Sequence, residues 1–293
     1  MDKIIRCITS DGAIMASAVD ASDIVFTAQR LHKTTPVATA ALGRLLCAGS
    51  MMGMSLKQNN AKLTLQVNGD GPIGSVVVVS DSHGNVKGYV TNPDCPTEYY
   101  NNGKINVASG VGKYGTLGVI RDYGSRDPYV GRVPLVSGEI AEDITSYYAT
   151  SEQIPTVCAL GVLVDKEDER VLLAGGLLIQ LLPGADDSTI DKLEKNITEL
   201  EPVTTMFAKG MSILEICKTA LKGFDVEVLD EEEVNYVCGC SREKIESYFM
   251  GLPEDELREC LTDNGTAEVN CQFCNKTYTF TEDDIEKIIK NKK

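Results

Sequence analysis

Two periodicities run through the chain. The stretch TTPVATAALGRLLCAGSMMGMSLK is almost all small and apolar, with Pro36 near its start, and predicts a helix. Strand patterns follow in KLTLQV, GSVVVVSD and VKGYVTN, separated by the turns GDGPIG and DSHGN. IPTVCALGVLV and RVLLAGGLLIQLL flank the charged turn DKEDE and predict a hairpin. Residues 1–185 therefore read as one α+β domain built on a mainly antiparallel sheet.

Pro183 and Gly184 end that pattern. Asp187 or Ser188 can then cap a helix whose apolar positions, Ile190, Leu193, Ile197 and Leu200, recur every three or four residues. A second helix is predicted over TTMFAKGMSILEICKTALKG, stopped by Gly223. Residues 186–230 thus form a helical linker, with Ile190, Leu193, Ile197, Val203, Met206, Phe207 and Met211 as apolar positions. Beyond it, residues 231–293 read as a small module. SREKIESYFMGL is a helix capped by Ser241, Pro253 opens the short helix PEDELRECL, and AEVNC and KTYTF are strands with CQFC at their turn. TEDDIEKIIKNKK closes the chain as a helix capped by Thr281.

Charge separates these regions. Of 43 acidic and 28 basic residues, 18 acidic and 8 basic ones lie beyond residue 224, so the last part of the chain carries most of the net charge of −15. That balance argues against phosphate backbones as partners, and the absence of tryptophan argues against base-stacking platforms. Arg6 and Asp11 interrupt any apolar signal core at the N-terminus, and VLLAGGLLIQLLPG is too short and too interrupted to span a bilayer. A cytoplasmic protein is expected, and there ten cysteines point to metal, catalysis or sensing before structural disulfides.

The strongest chemical signal is VCGCSRE followed, thirty residues on, by CQFCNK. A CxxC at a hairpin tip brings two sulfurs to one point, and Asn275 suits the left-handed residue just after the second of them. In extended chain, residues two apart face the same side with Cα atoms about 6.7 Å apart, and Gly239 lets the backbone bend. Cys238, Cys240, Cys271 and Cys274 can therefore converge on one zinc ion as a closed set of four thiolates, with no position left for a catalytic water. Such a site contributes about 10–16 kcal/mol of apparent binding energy, enough to decide whether so small a module folds. Both spacings also lie within reach of a disulfide, and thiolates are the form that oxidants attack. A permanently structural zinc and a thiol oxidoreductase remain open at this point.

Three other features carry less. GVGKYG at 110–115 has the spacing of a dinucleotide fingerprint, but TLGVIRD after it is a strand pattern where that motif needs a helix. Cys7, Cys47, Cys158, Cys217 and Cys260 stand outside the paired motif, several of them in apolar runs typical of core cysteines. Cys95, in NPDCPTE, is expected to be exposed.

The paired cysteines in VCGCSRE and EVNCQFCNKTYTF, with PVATAALGRLLCAGSMMG, GDGPIG, VKGYV, TLGVIRDYG, VPLVSGEIAEDITSYYATSEQIP and GFDVEVL in the same order, resemble the 33 kDa chaperonin family of bacterial redox-regulated heat shock holdases over essentially the whole chain. The resemblance implies a chaperone rather than an enzyme. It implies one zinc per chain on Cys238, Cys240, Cys271 and Cys274 in the reduced, inactive form. It further implies that oxidation forms the disulfides Cys238–Cys240 and Cys271–Cys274, expels zinc, unfolds the module and linker, and lets the protein hold unfolding clients without ATP, with a tendency to homodimerise. The seven apolar linker positions named above are the candidates for client contact.

Overall fold

The computed structural model describes residues 1–124 and 127–292. Lys293, the last residue of the expected closing helix, lies outside them. The chain divides into two compact units, Met1–Val237 and Cys238–Lys293.

The first unit opens with the antiparallel strands β1 (Lys3–Thr9) and β2 (Ile14–Asp20), then α1 (Ser22–His32) and α2 (Pro36–Met54). No side chain at Ala21 caps α1; the Asp2 carboxylate does so from a distance, accepting from the Asp23 and Ile24 amides at 3.0 and 2.7 Å. Strands β3 (Lys62–Gly69), β4 (Ser75–Asp81) and β5 (Val86–Val90) follow as predicted. After the short α3 (Val107–Val111) come β6 (Gly115–Asp122) and β7 (Tyr129–Pro134), which complete an antiparallel sheet in the order β5-β4-β3-β6-β7. GVGKYG thus has a helix before it and a strand after it, the reverse of a dinucleotide site.

Helix α4 (Ala141–Tyr147) runs into a π-helical turn and then the hairpin β8 (Thr156–Val164) and β9 (Val171–Leu181). The linker folds as α5 (Asp187–Thr198), α6 (Val203–Ala208) and α7 (Ile213–Ala220). Asp186, one residue earlier than expected, caps α5 by accepting from the Thr189 amide at 2.8 Å. The single helix predicted over 204–223 is two. Gly210 takes a positive φ of 80°, and Ser212 starts α7 with a capping box to Glu215. A further strand that the sequence reading did not foresee, β10 (Val226–Glu233), pairs antiparallel with β1 from Thr9↔Val226 to Lys3↔Glu233. The second sheet therefore runs β10-β1-β2-β9-β8. This pairing carries residues 231–233 into the first unit, so the contact boundary lies at 237/238 where the module was expected to begin at 231.

Helix α2 lies between the two sheets, packed on β3, β4 and β5 on one side and on β2, β8 and β9 on the other. That position explains an apolar pattern with no polar face: every residue except Arg44 is buried. The helix is long and apolar enough to cross a membrane, but it is buried inside protein. A side chain on Gly53 would collide with Ser80, so glycine there lets helix and strand meet. Around α2 grows the larger core. A second, separate core covers the opposite face of the β1–β2–β9 sheet, where Ile5, Cys7, Ile14, Ala16, Leu177 and Ile179 pack against Leu193, Val203, Met206, Ile213, Ile216 and Cys217 of α5–α7.

After β10, residues 234–237 run as a strap along β5. The Val86 amide donates to the Asn235 carbonyl at 3.0 Å, the Val237 amide donates to the Val86 carbonyl at 2.8 Å, and the Tyr236 hydroxyl donates to the Gly88 carbonyl at 2.8 Å.

The second unit contains α8 (Arg242–Phe249), α9 (Glu254–Glu259), the hairpin β11 (Thr266–Asn270) and β12 (Thr277–Thr281), and α10 (Glu282–Asn291). Ser241 and Thr281 cap α8 and α10 as expected, while Pro253 stands at the N-cap of α9. Its core is small: Phe249 and Phe280 meet edge to face at 5.0 Å, with Ile245, Leu257, Ile285 and Ile289 around them.

Candidate metal centre

The second unit has few apolar residues to hold it, and its four cysteines lie at one point. Cys271 and Cys274 occupy the turn between β11 and β12. The Cys271 amide donates to the Lys276 carbonyl at 2.9 Å, and the Cys274 and Asn275 amides both turn back to the Cys271 carbonyl, at 3.2 and 2.8 Å. Asn275 takes the left-handed conformation that the sequence suggested, with φ 56°. Cys238 and Cys240 approach from extended chain just before α8, where Lys244 donates to the Gly239 carbonyl between them.

All four Sγ atoms lie within 4.8 Å of one another. Cys238 and Cys271 are 3.7 Å apart, and Cys240 and Cys274 are 3.3 Å apart. Four sulfurs each about 2.3 Å from a central ion would be separated by about 3.8 Å, so the set fits a tetrahedral thiolate site with little adjustment. Neither histidine contributes, because His32 bonds to Tyr236 at 3.3 Å and His83 faces Glu232 at 3.8 Å in the first unit. Each of these two contacts joins one cysteine of one pair to one of the other.

One further residue, missed by the sequence reading, completes the site. The Tyr278 hydroxyl donates to Cys240 Sγ at 3.2 Å. Tyr278 sits in KTYTF among alternating strand residues, and nothing in that pattern separates a sulfur partner from an ordinary strand tyrosine. Burial pushes the Cys240 thiol up, but donation from Tyr278 and the other three cysteines outweighs it and brings the group to about 7. Burial raises Cys238, and raises Cys274 to about 12. Cys240 is thus the thiol whose ionised form its surroundings favour; a divalent cation at the centre of the four sulfurs would be bound by their thiolate forms.

The other sequence candidates lie in the first unit. Leu193, Val203 and Met206 are buried against the sheet, while Ile197, Phe207 and Met211 pack against the same core half-buried. Ile190 borders a groove of about 510 Å³ with Pro155, Val157, Leu181 and Ile197. Cys7, Cys47 and Cys217 are fully buried and Cys260 is exposed. Cys95, expected at the surface, is 2% exposed: its loop folds under the start of α2, and Thr35 Oγ1 lies 3.7 Å from the sulfur.

Comparison with known proteins comes down on one family. The family model described as Hsp33 protein matches residues 2–281. A protein named 33 kDa chaperonin from Clostridioides difficile is 46% identical over 289 residues, covering 99% of both chains. Its namesake from Acetivibrio thermocellus is 47% identical over 289 residues, covering 99% of this chain and 97% of that one. The crystal structure of the 33 kDa chaperonin (heat shock protein 33 homolog) from Thermotoga maritima superposes with a TM-score of 0.90 at 35% identity, over 99% of this chain and 98% of that one.

Proposed function

The chain belongs to the Hsp33 family of chaperones, which are not enzymes, and from that premise we propose that it is a redox-switched, ATP-independent holdase of the cytoplasm whose sensor is the four-cysteine cluster. The observation that carries this reading is the convergence of Cys238, Cys240, Cys271 and Cys274 in a unit with so small an apolar core. One zinc per chain, bound by the four sulfurs, would supply the folding energy that this core lacks. The same sulfurs are also open to oxidation. They are half-buried rather than sealed, and Cys240 already favours its thiolate.

Peroxide would take two electrons from each thiol pair as Cys238–Cys240 and Cys271–Cys274 form, each step reducing one peroxide to water. The metal then has no ligands and the unit no staple. Residues 186–230 act as the linker that responds and 231–293 as the switch. Ile190, Leu193, Ile197, Val203, Met206, Phe207 and Met211 become client contacts once α5 and α6 lift from the sheet. The packing of all of these but Ile190 against the β1–β2–β9 face supports this, because a resting holdase needs its apolar surface covered. The oxidised form would dimerise through that same uncovered surface.

The test follows metal release with a chromogenic chelator while light scattering reports a heat-aggregating client, on reduced, zinc-loaded protein given peroxide at mildly raised temperature. Release of one zinc per chain before protection begins is the expected course; protection without release, or release without protection, would sink the proposal. Disulfide mapping on the same samples should find the two neighbour pairs. Bonds across the pairs, along the 3.7 and 3.3 Å contacts, would correct the pairing.

A further inference from the structure

Where β8, α2 and the start of α6 meet the loop at 99–105, the first unit forms a cavity of about 300 Å³. That volume lies at the lower end of the range for small-molecule sites. Three cations line it: Arg44, Lys104 and Lys166. Arg44 donates Nη1 to the carbonyl and the carboxylate of Glu139, at 2.9 and 2.5 Å, but its Nε is buried with no hydrogen-bond partner among the described residues. A buried donor without an acceptor is rare and calls for a water or a ligand to complete it. Lys104 is presented by a tight loop: the Tyr100 amide donates to the Lys104 carbonyl at 2.8 Å, and Gly103 turns with φ 78°. Lys166 reaches across from the β8–β9 turn, and a side chain on Gly103 would lie 3.6 Å from its Nζ. Neither ammonium has an ion pair or a hydrogen bond among the described residues, in a chain whose net charge is −15.

We propose that this cavity binds a phosphate monoester with a small apolar body, and that the bound ester holds α6 on the sheet. The two unpaired ammoniums match the charge of the phosphate, and the Arg44 Nε–H remains to donate to it. Asp165 is the one carboxylate lining the cavity among the described residues. Its Oδ1 is engaged, accepting from the Glu167 and Asp168 amides of its own turn at 2.8 and 3.3 Å. Ile105, Leu160 and Val162 give an apolar wall for the rest of the ligand. β8 is also the outer strand of its sheet, so its outward amides have no neighbouring strand to take them.

Another wall is α6. Thr204 and Thr205 line the cavity, and neither hydroxyl is hydrogen-bonded among the described residues. The helix comes this close because Gly161 of β8 has no side chain; one there would meet Thr204 Cγ2 at 2.6 Å. A ligand held by α2, β8, the loop and α6 together binds the docked helix and not the detached one, so by mass action it opposes detachment. Any effect on client protection rests on the holdase reading, whereas binding of the ester does not.

The experiment titrates phenyl phosphate into the full chain, reduced and zinc-loaded, by calorimetry, with inorganic phosphate and benzoate as the other arms. Phenyl phosphate should fill one site per chain and bind at least about tenfold more tightly than either, because phosphate lacks the apolar body and benzoate carries less charge. The double variant Lys104→Met, Lys166→Met changes only exposed side chains and should weaken binding at least about tenfold. No saturable binding, or equal affinity in the variant, overturns the site. Benzoate binding as tightly overturns the phosphate assignment, and inorganic phosphate binding as tightly overturns the apolar body. Limited trypsin on the same samples reads the clamp. Cleavage after Lys209, at the C-terminal end of α6, should slow several-fold with saturating phenyl phosphate in wild type and stay unchanged in the variant; an unchanged rate in wild type overturns the clamp. These measurements use the reduced chain, whereas the holdase reading is tested by zinc release and client scattering under peroxide, so either can fail alone.

Discussion

At the level of single residues, the four cysteines were legible because metal ligation constrains spacing locally, two residues apart in one pair and three in the other. Tyr278 was not, since its partner Cys240 is distant in sequence. Outer ligand partners of this kind usually change metal affinity by about 10–100-fold. Tyr278→Phe should therefore weaken zinc binding by at least about tenfold in chelator competition; unchanged affinity would make the hydroxyl incidental. Asp2 gives a pH effect of opposite kind to the usual carboxylate. Burial pushes it up to about 6 from 3.8, only partly offset by the Asp23 and Ile24 amides. Between those values the folded chain holds a proton that the unfolded chain has lost, so stability falls as pH rises from about 4 to about 6. Asp2→Asn should remove that component, on the order of 2 kcal/mol, from the difference between denaturation midpoints at the two ends of the window. Identical pH slopes for variant and wild type would refute it. Cys95 shows how the local reading misleads: prolines and acids around it suggest surface, but the loop they form is folded under α2.

At the level of elements, long periodic segments and tight hairpins were readable, because their signals lie within a few residues. Two features were not. The break between α6 and α7 needs Gly210 to adopt positive φ, and a glycine inside an apolar helical pattern does not announce which conformation it takes. Strand β10 was hidden because it is an edge strand with exposed acidic residues, paired in part by Lys3 and Arg6 from β1, so its alternation is masked by charge. The same pairing explains part of the acidic tail, which divides between β10 and the second unit. The glycines of AGG in β9 also acquire a reason. A side chain on Gly175 would collide with the Phe207 ring and the Val19 carbonyl, so glycine there is what lets α6 dock. Gly175→Ala should cost about 1–3 kcal/mol through overpacking. The reduced, zinc-loaded variant should bind an apolar fluorescent dye more strongly than wild type; unchanged dye binding would mean that α6 repacks without lifting.

At the level of the whole chain, the two units differ in what holds them. The first has two apolar cores on opposite faces of one sheet, while the second relies on a handful of apolar residues and its cysteine cluster. Removing residues 232–293, nearly the whole module read from the sequence, also removes the end of β10 and the strap at 234–237. Removing only 238–293 spares both. The longer fragment should show the higher thermal midpoint, and the shorter one constitutive client binding without oxidant. Equal midpoints would mean that the strap contributes nothing to the first unit.

The placement of α2 has a consequence for recovery. Because it closes the larger core between both sheets, the outer helices can detach without dismantling what lies beneath them. Such a molecule can be partly open and still remember its fold. On the proposed switch, the return of reductant and metal would bring these helices back to a sheet face that has stayed assembled, so closing would be docking onto a template rather than folding anew, and the cycle could be repeated.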